Sequence, residues 1–332
     1  MSLKHVFGVV LGAVLLASTM GPARSQPKLR TLTEQEVVDL LTGSSIQAAR
    51  SSETEGMIRR AKELLAEGKR FTLIALEDLP DDWRVVSAAG GLGGGGAWDH
   101  VSERMERQRA PTLPEDVATL RAMDVLAAHL GTKFDAIIRN EPSGGTLAAF
   151  VSATARGLPV VDACLAGRCK PEVQMQMPHV RGVPPKPAVL VTRWGETVII
   201  DKAVDDYRLE DLGRAIAVAS GGHVSIARTP LTGNEVKQGV IPSSLSQALL
   251  WGRTIREARE RGKDPIAALV EVARGYKLFH GVVTKADSKG ERGHSYWDVE
   301  LRGVEGYEGH VYKALNKRNT RIDIGLSAAQ DL

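Results

Sequence analysis

The stretch DAIIRNEPSGGTLAAFVSATARGLPVVD, Asp135 to Asp162, decides the fold. Asp135-Ala-Ile-Ile138 is a short apolar run of strand character, Gly144-Gly145 reads as a turn, and Thr146 to Arg156 has helical texture. Leu158-Pro-Val-Val-Asp162 is a second buried strand, closed by a carboxylate. Strand, helix and strand in this order build a crossover, the unit of a parallel sheet.

The same alternation extends toward the amino terminus. Thr33 followed by Glu36 is a capping box and opens a helix through Leu41, and a second helix covers Ser52 to Glu67. Strands follow at Phe71 to Ala75 and Trp83 to Ala88, the latter running into the glycine run Gly90 to Gly96. Helices are expected from near Asp99 and over Pro114 to Leu130. After the proline cluster Pro184-Pro185-Lys186-Pro187, short β-rich segments dominate, interrupted by a helix at Ser244 to Arg261 and another at Pro265 to Arg274. We expect an α/β fold: a layered, mainly parallel sheet over residues 26–183, then a β-rich domain over 184–332.

The first 25 residues differ in kind. Lys4 and His5 precede an apolar run, Val6 to Ala17, and Ala23-Arg24-Ser25 supplies small residues at the two positions a signal peptidase reads. A run of roughly 12 residues is too short to span a bilayer. The segment reads as a cleaved signal peptide, 1–25, with Gln26 as the mature start and a secreted or periplasmic location. The other reading is an uncleaved anchor or a buried strand.

Composition narrows the partners. The 332 residues carry a formal net charge of +3 and 25% charged residues, which gives no basic footprint for nucleic acid. No later segment is apolar enough to span a membrane, so no membrane partner is expected once the signal is cleaved. A small-molecule ligand is the expected partner, an oligomer is possible, and no motif names a cofactor or a metal. Cys164 and Cys169, the two cysteines, are compatible with a disulfide, with free thiols or with metal ligation, although no His or Cys pair nearby completes a tetrahedral site.

In open parallel sheets, ligands bind at the carboxyl ends of strands. The glycine run, the Asn140-Glu141 loop and the Asp162 loop all fall at such ends. Gly93, Gly94 and Gly95 read either as a nest of N–H groups facing a ligand or as a flexible turn. Gly144 and Gly145 are further backbone candidates. Asp162, Glu172 and Glu141 are candidate carboxylates for activating water, the other reading being helix caps or partners of an arginine such as Arg168. Arg168 is also a candidate ligand-binding cation. Ser243, Ser244 and Ser246 lack the glycine frame of a nucleophile elbow.

Three segments carry a family resemblance. Gly157-Leu-Pro-Val-Val-Asp162, Gly167-Arg168 and Pro171-Glu-Val-Gln-Met175 resemble the central motif of the S-methyl thiohydantoin desulfurase-like family. Pro230-Leu-Thr-Gly233 through Ser243 to Ser246 and Gly252-Arg253 is similar, as is Gly275 to Val283 at the start of a β-hairpin. The resemblance covers roughly residues 33–320. It implies an α/β amino-terminal domain, a β-rich carboxy-terminal domain, and hydrolytic loss of a sulfur leaving group. Water would attack the ring carbon bearing sulfur, with Asp162 or Glu172 as base and backbone N–H groups facing the developing charge.

The chain departs from the family pattern in three places. It has Gly43 to Ser51 where a glycine-rich loop is usual, and Cys164-Leu165 where an aspartate and a glycine are usual. It also stops at Leu332, where family chains tend to continue. Two functions are therefore carried forward: a hydrolase of a small hydantoin- or thiohydantoin-like compound, or a non-catalytic exported relative that binds a small anionic or heterocyclic ligand. Convergence of the three carboxylates on one reachable cleft favours the first. Dispersed carboxylates, or a cleft filled by Leu165 and Lys170, favour the second or neither.

Overall fold

A computed structural model of the chain describes residues 27–48, 53–93, 96–291, 293–317 and 320–328. The expected signal peptide and Gln26 lie outside the described residues, as do Gly94 and Gly95. Among the described residues no helix is long and apolar enough to cross a membrane.

The chain begins with β1 (Leu29–Thr31), α1 (Glu34–Gln47), α2 (Thr54–Ala66), β2 (Thr72–Ile74), β3 (Arg84–Ser87) and β4 (Gly91–Gly93). Helices α3 (Asp99–Arg107) and α4 (Glu115–His129) lead to β5 (Ala136–Arg139), α5 (Gly144–Arg156) and β6 (Val160–Cys164). Then come α6 (Met177–Val180), β7 (Ala188–Thr192), β8 (Thr197–Ile200), α7 (Asp206–Ala219) and β9 (His223–Thr232). Next are α8 (Gly233–Gln238), β10 (Ile241–Pro242), α9 (Ser244–Glu260) and α10 (Pro265–Val272). Four strands end the described chain: β11 (Gly281–Glu291), β12 (His294–Gly303), β13 (His310–Lys317) and β14 (Thr320–Ala328).

The strand order is β1-β2-β6-β5-β3-β9-β7-β8, with β10 beside β6 and β4 beside β9. Its centre, β2-β6-β5-β3, is parallel, as the strand–helix–strand reading requires. Alternate side chains of these strands enter opposite cores. Ile137 and Val160 pack with α1, α2, α4, α5 and α9, while Ala136, Ile138, Val161 and Ala163 pack on the other face with Leu79, Leu231 and Val236. Burial on both faces is why these strands read as continuous apolar runs rather than alternating ones.

The capping box is formed as expected. Thr33 Oγ1 accepts from the Glu36 amide at 3.2 Å, and Glu36 Oε2 accepts from the Thr33 amide at 3.0 Å. Gly144 and Gly145 form the first turn of α5 rather than a turn before it.

The sheet does not stop at the proline cluster. β9 pairs antiparallel with β3 on one side and with β7 on the other, so residues 188–232 extend the first sheet. Short β-rich segments look alike whether they start a new sheet or extend an old one, and only the long-range pairing tells them apart. The separate antiparallel sheet, β11-β12-β13-β14, begins at Gly281.

Two glycines allow α1 and α9 to pack backbone to backbone. A methyl group at Gly252 would collide with the Asp39 carbonyl, and one at Gly43 with the Ala248 carbonyl. The same contact carries the ion pair of buried Asp39 with Arg256, at 2.9 Å and 3.0 Å. Gly252→Ala and Gly43→Ala are each expected to destabilise the protein by about 1–3 kcal/mol, measured by denaturant unfolding. Gly56→Ala, in α2 with open space around it, is expected to stabilise by up to about 1 kcal/mol.

Candidate functional site

The loops after β3 and β5 carry the site. Beyond β5, Asn140-Glu141-Pro142 reaches Ser143, whose φ of 63° and ψ of −128° turn the chain sharply into α5. The base of this loop is fixed by Arg139, which is fully buried. Its Nη1 donates to Thr146 Oγ1 at 2.8 Å and Ser44 Oγ at 3.2 Å, and its Nη2 to the Ser244 carbonyl at 2.8 Å and Gln47 Oε1 at 3.0 Å.

A cleft of about 640 Å³ opens over these loops, lined among others by Gly90, Gly91, Asn140, Glu141, Gly144 and Gly145. It adjoins a polar recess of about 20 Å³, room for about one water molecule. Ala89, Gly90, Gly91, Asn140 and Glu141 line both cavities, and Lys170, Glu172, Arg214 and Arg228 complete the recess. The first turn of α5 presents helix amino-terminal N–H groups, which favour negative charge, at the cleft through Gly144 and Gly145.

Glu141 stands at the junction. Its Oε2 accepts from the Lys170 amide at 3.1 Å. The Lys170 ammonium donates to the carbonyls of Glu172 at 3.1 Å and Val173 at 3.3 Å. Burial, with the nearby Arg228 guanidinium adding to it, brings the Lys170 amine down to about 7, against the opposing pull of Glu141 and Glu210. Arg228 itself donates to Gln176 Oε1 at 2.6 Å, to Thr229 Oγ1 at 3.0 Å, and to the Asn140 side-chain oxygen. Burial pulls its guanidinium below the ordinary arginine range. Arg214 pairs with Glu210 at 2.6 Å and donates to the carbonyls of Gly93, Pro171 and Gly293.

The three carboxylates named from the sequence separate. Glu141 and Glu172 share the recess, where Glu172 Oε2 accepts from Gln174 at 2.5 Å and Oε1 lies 4.0 Å from His294 Nε2. Asp162 lies in a different depression with Lys28, Arg30 and Ser246. Its Oδ1 accepts from the amides of Leu245 at 2.9 Å and Ser246 at 3.0 Å, and its Oδ2 from Ser246 Oγ at 2.5 Å. The carboxylate thus holds the amino terminus of α9, the helix-capping alternative to a catalytic role.

Arg168 is exposed and lines neither the cleft nor the recess. Leu165 is fully buried in the core, whereas Lys170 does occupy the recess. Gly93 belongs to β4, paired with His223 of β9, so this part of the glycine run joins the sheet instead of forming a nest. A methyl group at Gly91 would strike the His223 ring and one at Gly93 the Gly222 carbonyl. Close approach of β9 is what these glycines allow.

Cys164 and Cys169 are both buried, and their thiols donate to the carbonyls of Asn140 at 3.3 Å and Pro142 at 3.5 Å. They support the Glu141 loop from below. Among the described residues there is no cluster of His, Cys, Asp and Glu able to hold a metal ion.

Family models cover both halves of the chain. Residues 35–202 match the S-Me-THD-like amino-terminal domain and residues 204–322 the S-Me-THD-like carboxy-terminal domain. The chain belongs to the S-Me-THD-like family. No curated protein matches this S-Me-THD-like chain. It is similar in fold to a crystal structure of a protein from Chromobacterium violaceum, with a TM-score of 0.60 and 21% identity over 91% of this chain and 80% of that one.

Lys170, Arg214 and Arg228 were not singled out as site residues in the sequence. Arg228 did leave a signal, a lone arginine in the apolar run His223 to Thr232, and Glu210 and Arg214 are spaced as a helix pair. Asp162→Ala is expected to lower stability by about 1–2 kcal/mol by releasing the start of α9. Thermal unfolding should show a reduced Tm, and ligand binding in the cleft should be retained.

Proposed function

We propose that the protein is an exported hydrolase of a small hydantoin- or thiohydantoin-like compound, from which it removes a sulfur leaving group. Asp162 stands apart from the cleft, but Glu141 and Glu172 share one recess, and the observation that carries this reading is the position of Glu141, which lines both a ligand-sized cleft and a water-sized polar recess. A cleft of about 640 Å³ suits a small heterocycle, since ligand sites commonly run from about 300 to 1,000 Å³.

The chemistry follows from that position. A water in the recess attacks the ring carbon bearing sulfur, and Glu141 accepts its proton. The carboxylate is held in place by the Lys170 amide, and the α5 amino terminus faces the negative charge that develops on the ring. Collapse of the adduct forms the carbonyl and expels a thiol. Family membership supports the reaction class, and the residues Val6 to Ala17 followed by Ala23-Arg24-Ser25 support export.

The test is thiol release from S-methyl thiohydantoins by residues 26–332, run beside a thermal-shift screen of hydantoins and related carboxylates. Glu141→Gln is expected to cut kcat by about 10²–10⁴-fold with little change in Tm. A variant retaining full turnover would remove Glu141 from the mechanism. Stabilisation by ligands without any thiol release would instead make the protein a binder.

A further inference from the structure

We propose that Lys170 is the proton donor that works opposite Glu141 in the recess. This inference rests on the hydrolase reading above and extends it by a second catalytic group.

The geometry of the amine carries it. Lys170 is 6% exposed, and its Nζ is fixed by two backbone carbonyls, those of Glu172 and Val173. An ammonium has three N–H bonds. Two are taken by these carbonyls, and the third is left for a group that enters the recess. The Lys170 backbone amide holds Glu141 Oε2 at 3.1 Å, so a single residue positions the base and presents the acid. The recess has room for about one water, and it is open to the cleft along Ala89 to Gly91, Asn140 and Glu141.

The other cations of the recess do not serve. Arg214 and Arg228 are guanidinium groups, which keep their protons in proteins, and both are committed to protein acceptors. The charged and titratable groups around the amine are Arg228 from β9, Glu141 from the β5–α5 loop, Glu210 and Arg214 from α7, Cys164 from β6, and Glu172 with His294 behind it. Burial and Arg228 outweigh the carboxylates, and the amine loses its proton near pH 7. An acid of that strength transfers protons readily at neutral pH.

The step balances. As the water oxygen bonds to the ring carbon, Glu141 takes one water proton. The C=N electron pair moves to the ring nitrogen, which takes a proton from Lys170. On collapse, the hydroxyl proton returns to the Lys170 amine, the carbonyl forms, and the carbon–sulfur bond breaks. The departing thiolate takes the proton held by Glu141, and both residues are restored.

A donor must be protonated, so activity is present below about pH 7 and is lost as the pH rises through it. The decisive experiment pairs kinetics with a direct titration. The wild-type kcat/KM for thiol release is followed from pH 5 to 10. The Cε resonance of Lys170 is followed in protein carrying ε-¹³C lysine, assigned by its absence in Lys170→Arg or Lys170→Met. The expected result is an alkaline limb and a Cε titration that share a midpoint near 7. Lys170→Arg is expected to lose about 10²–10⁴-fold in kcat together with that limb. Turnover with Lys170 titrating near the ordinary lysine value of about 10.4, or an alkaline limb unmoved in Lys170→Arg, overturns the role of Lys170 and leaves the hydrolase reading standing. Absence of thiol release from any thiohydantoin overturns both.

Discussion

The fully buried guanidinium of Arg139 is the constraint on which the site depends. Four hydrogen bonds run from it to α1, α5 and the first residue of α9. Each such bond from a charged donor contributes about 1.5–3 kcal/mol against leaving the group unpaired. The same Ser44 hydroxyl that meets Arg139 also receives the Ser143 amide at 2.8 Å. Arg139 and Ser44 together thus fix where β5 ends and how α5 begins. Everything between them, Asn140 and Glu141 included, is positioned from underneath.

Above that anchor the polar groups divide by how they are satisfied. Arg214 has a carboxylate, Glu210, as its partner, and Glu210 in turn accepts from the Val173 amide at 2.8 Å. Arg228 is met by the neutral oxygens of Gln176, Thr229 and Asn140. A cation desolvated among neutral acceptors presses on every ionisable neighbour. Lys170 lines the same recess, and burial, with Arg228 adding to it, brings its amine to about 7. A carboxylate and an amine lining one recess are the two kinds of group that acid–base chemistry uses.

How much of this was legible depends on the range of the contacts involved. The strand–helix–strand unit from Asp135 to Asp162, the capping box at Thr33 and the placing of Glu141 beyond a strand all rest on local pattern, and the structure repeats them. Asp162 shows where local reading runs short. A carboxylate at a strand end looks the same whether it faces a cleft or a helix start 83 residues away. The recess is harder still: Arg228 reaches Asn140 across 88 residues and Arg214 reaches Gly93 across 121. The sheet crosses residue 184 for the same reason, because β9 meets β3 through a pairing that neither strand's composition announces. The glycine run divides: at Gly91 and Gly93 the space left by the missing side chain is taken by the close approach of β9, while Gly90 and Gly91 also line the cleft.

The second sheet lines neither the cleft nor the recess but braces residues that do. The turn between β11 and β12 lays the Gly293 carbonyl on Arg214 at 3.2 Å, and His294, first residue of β12, stands beside Glu172. Gly293 has φ +76°, and a methyl group there would collide with the Arg214 side chain, so this turn fits against α7 only with glycine. Arg214 therefore joins three parts of the chain: the glycine run through Gly93, the Pro171 loop beside Lys170, and the hairpin of the carboxy-terminal half. Moving the hairpin would leave a buried cation with an unmet N–H and would withdraw His294 from Glu172. The matches to both the amino- and carboxy-terminal S-Me-THD-like domains have a physical reading in this arrangement: the strand ends of the first half supply Glu141, and the second half, through α7, β9 and the hairpin, encloses it.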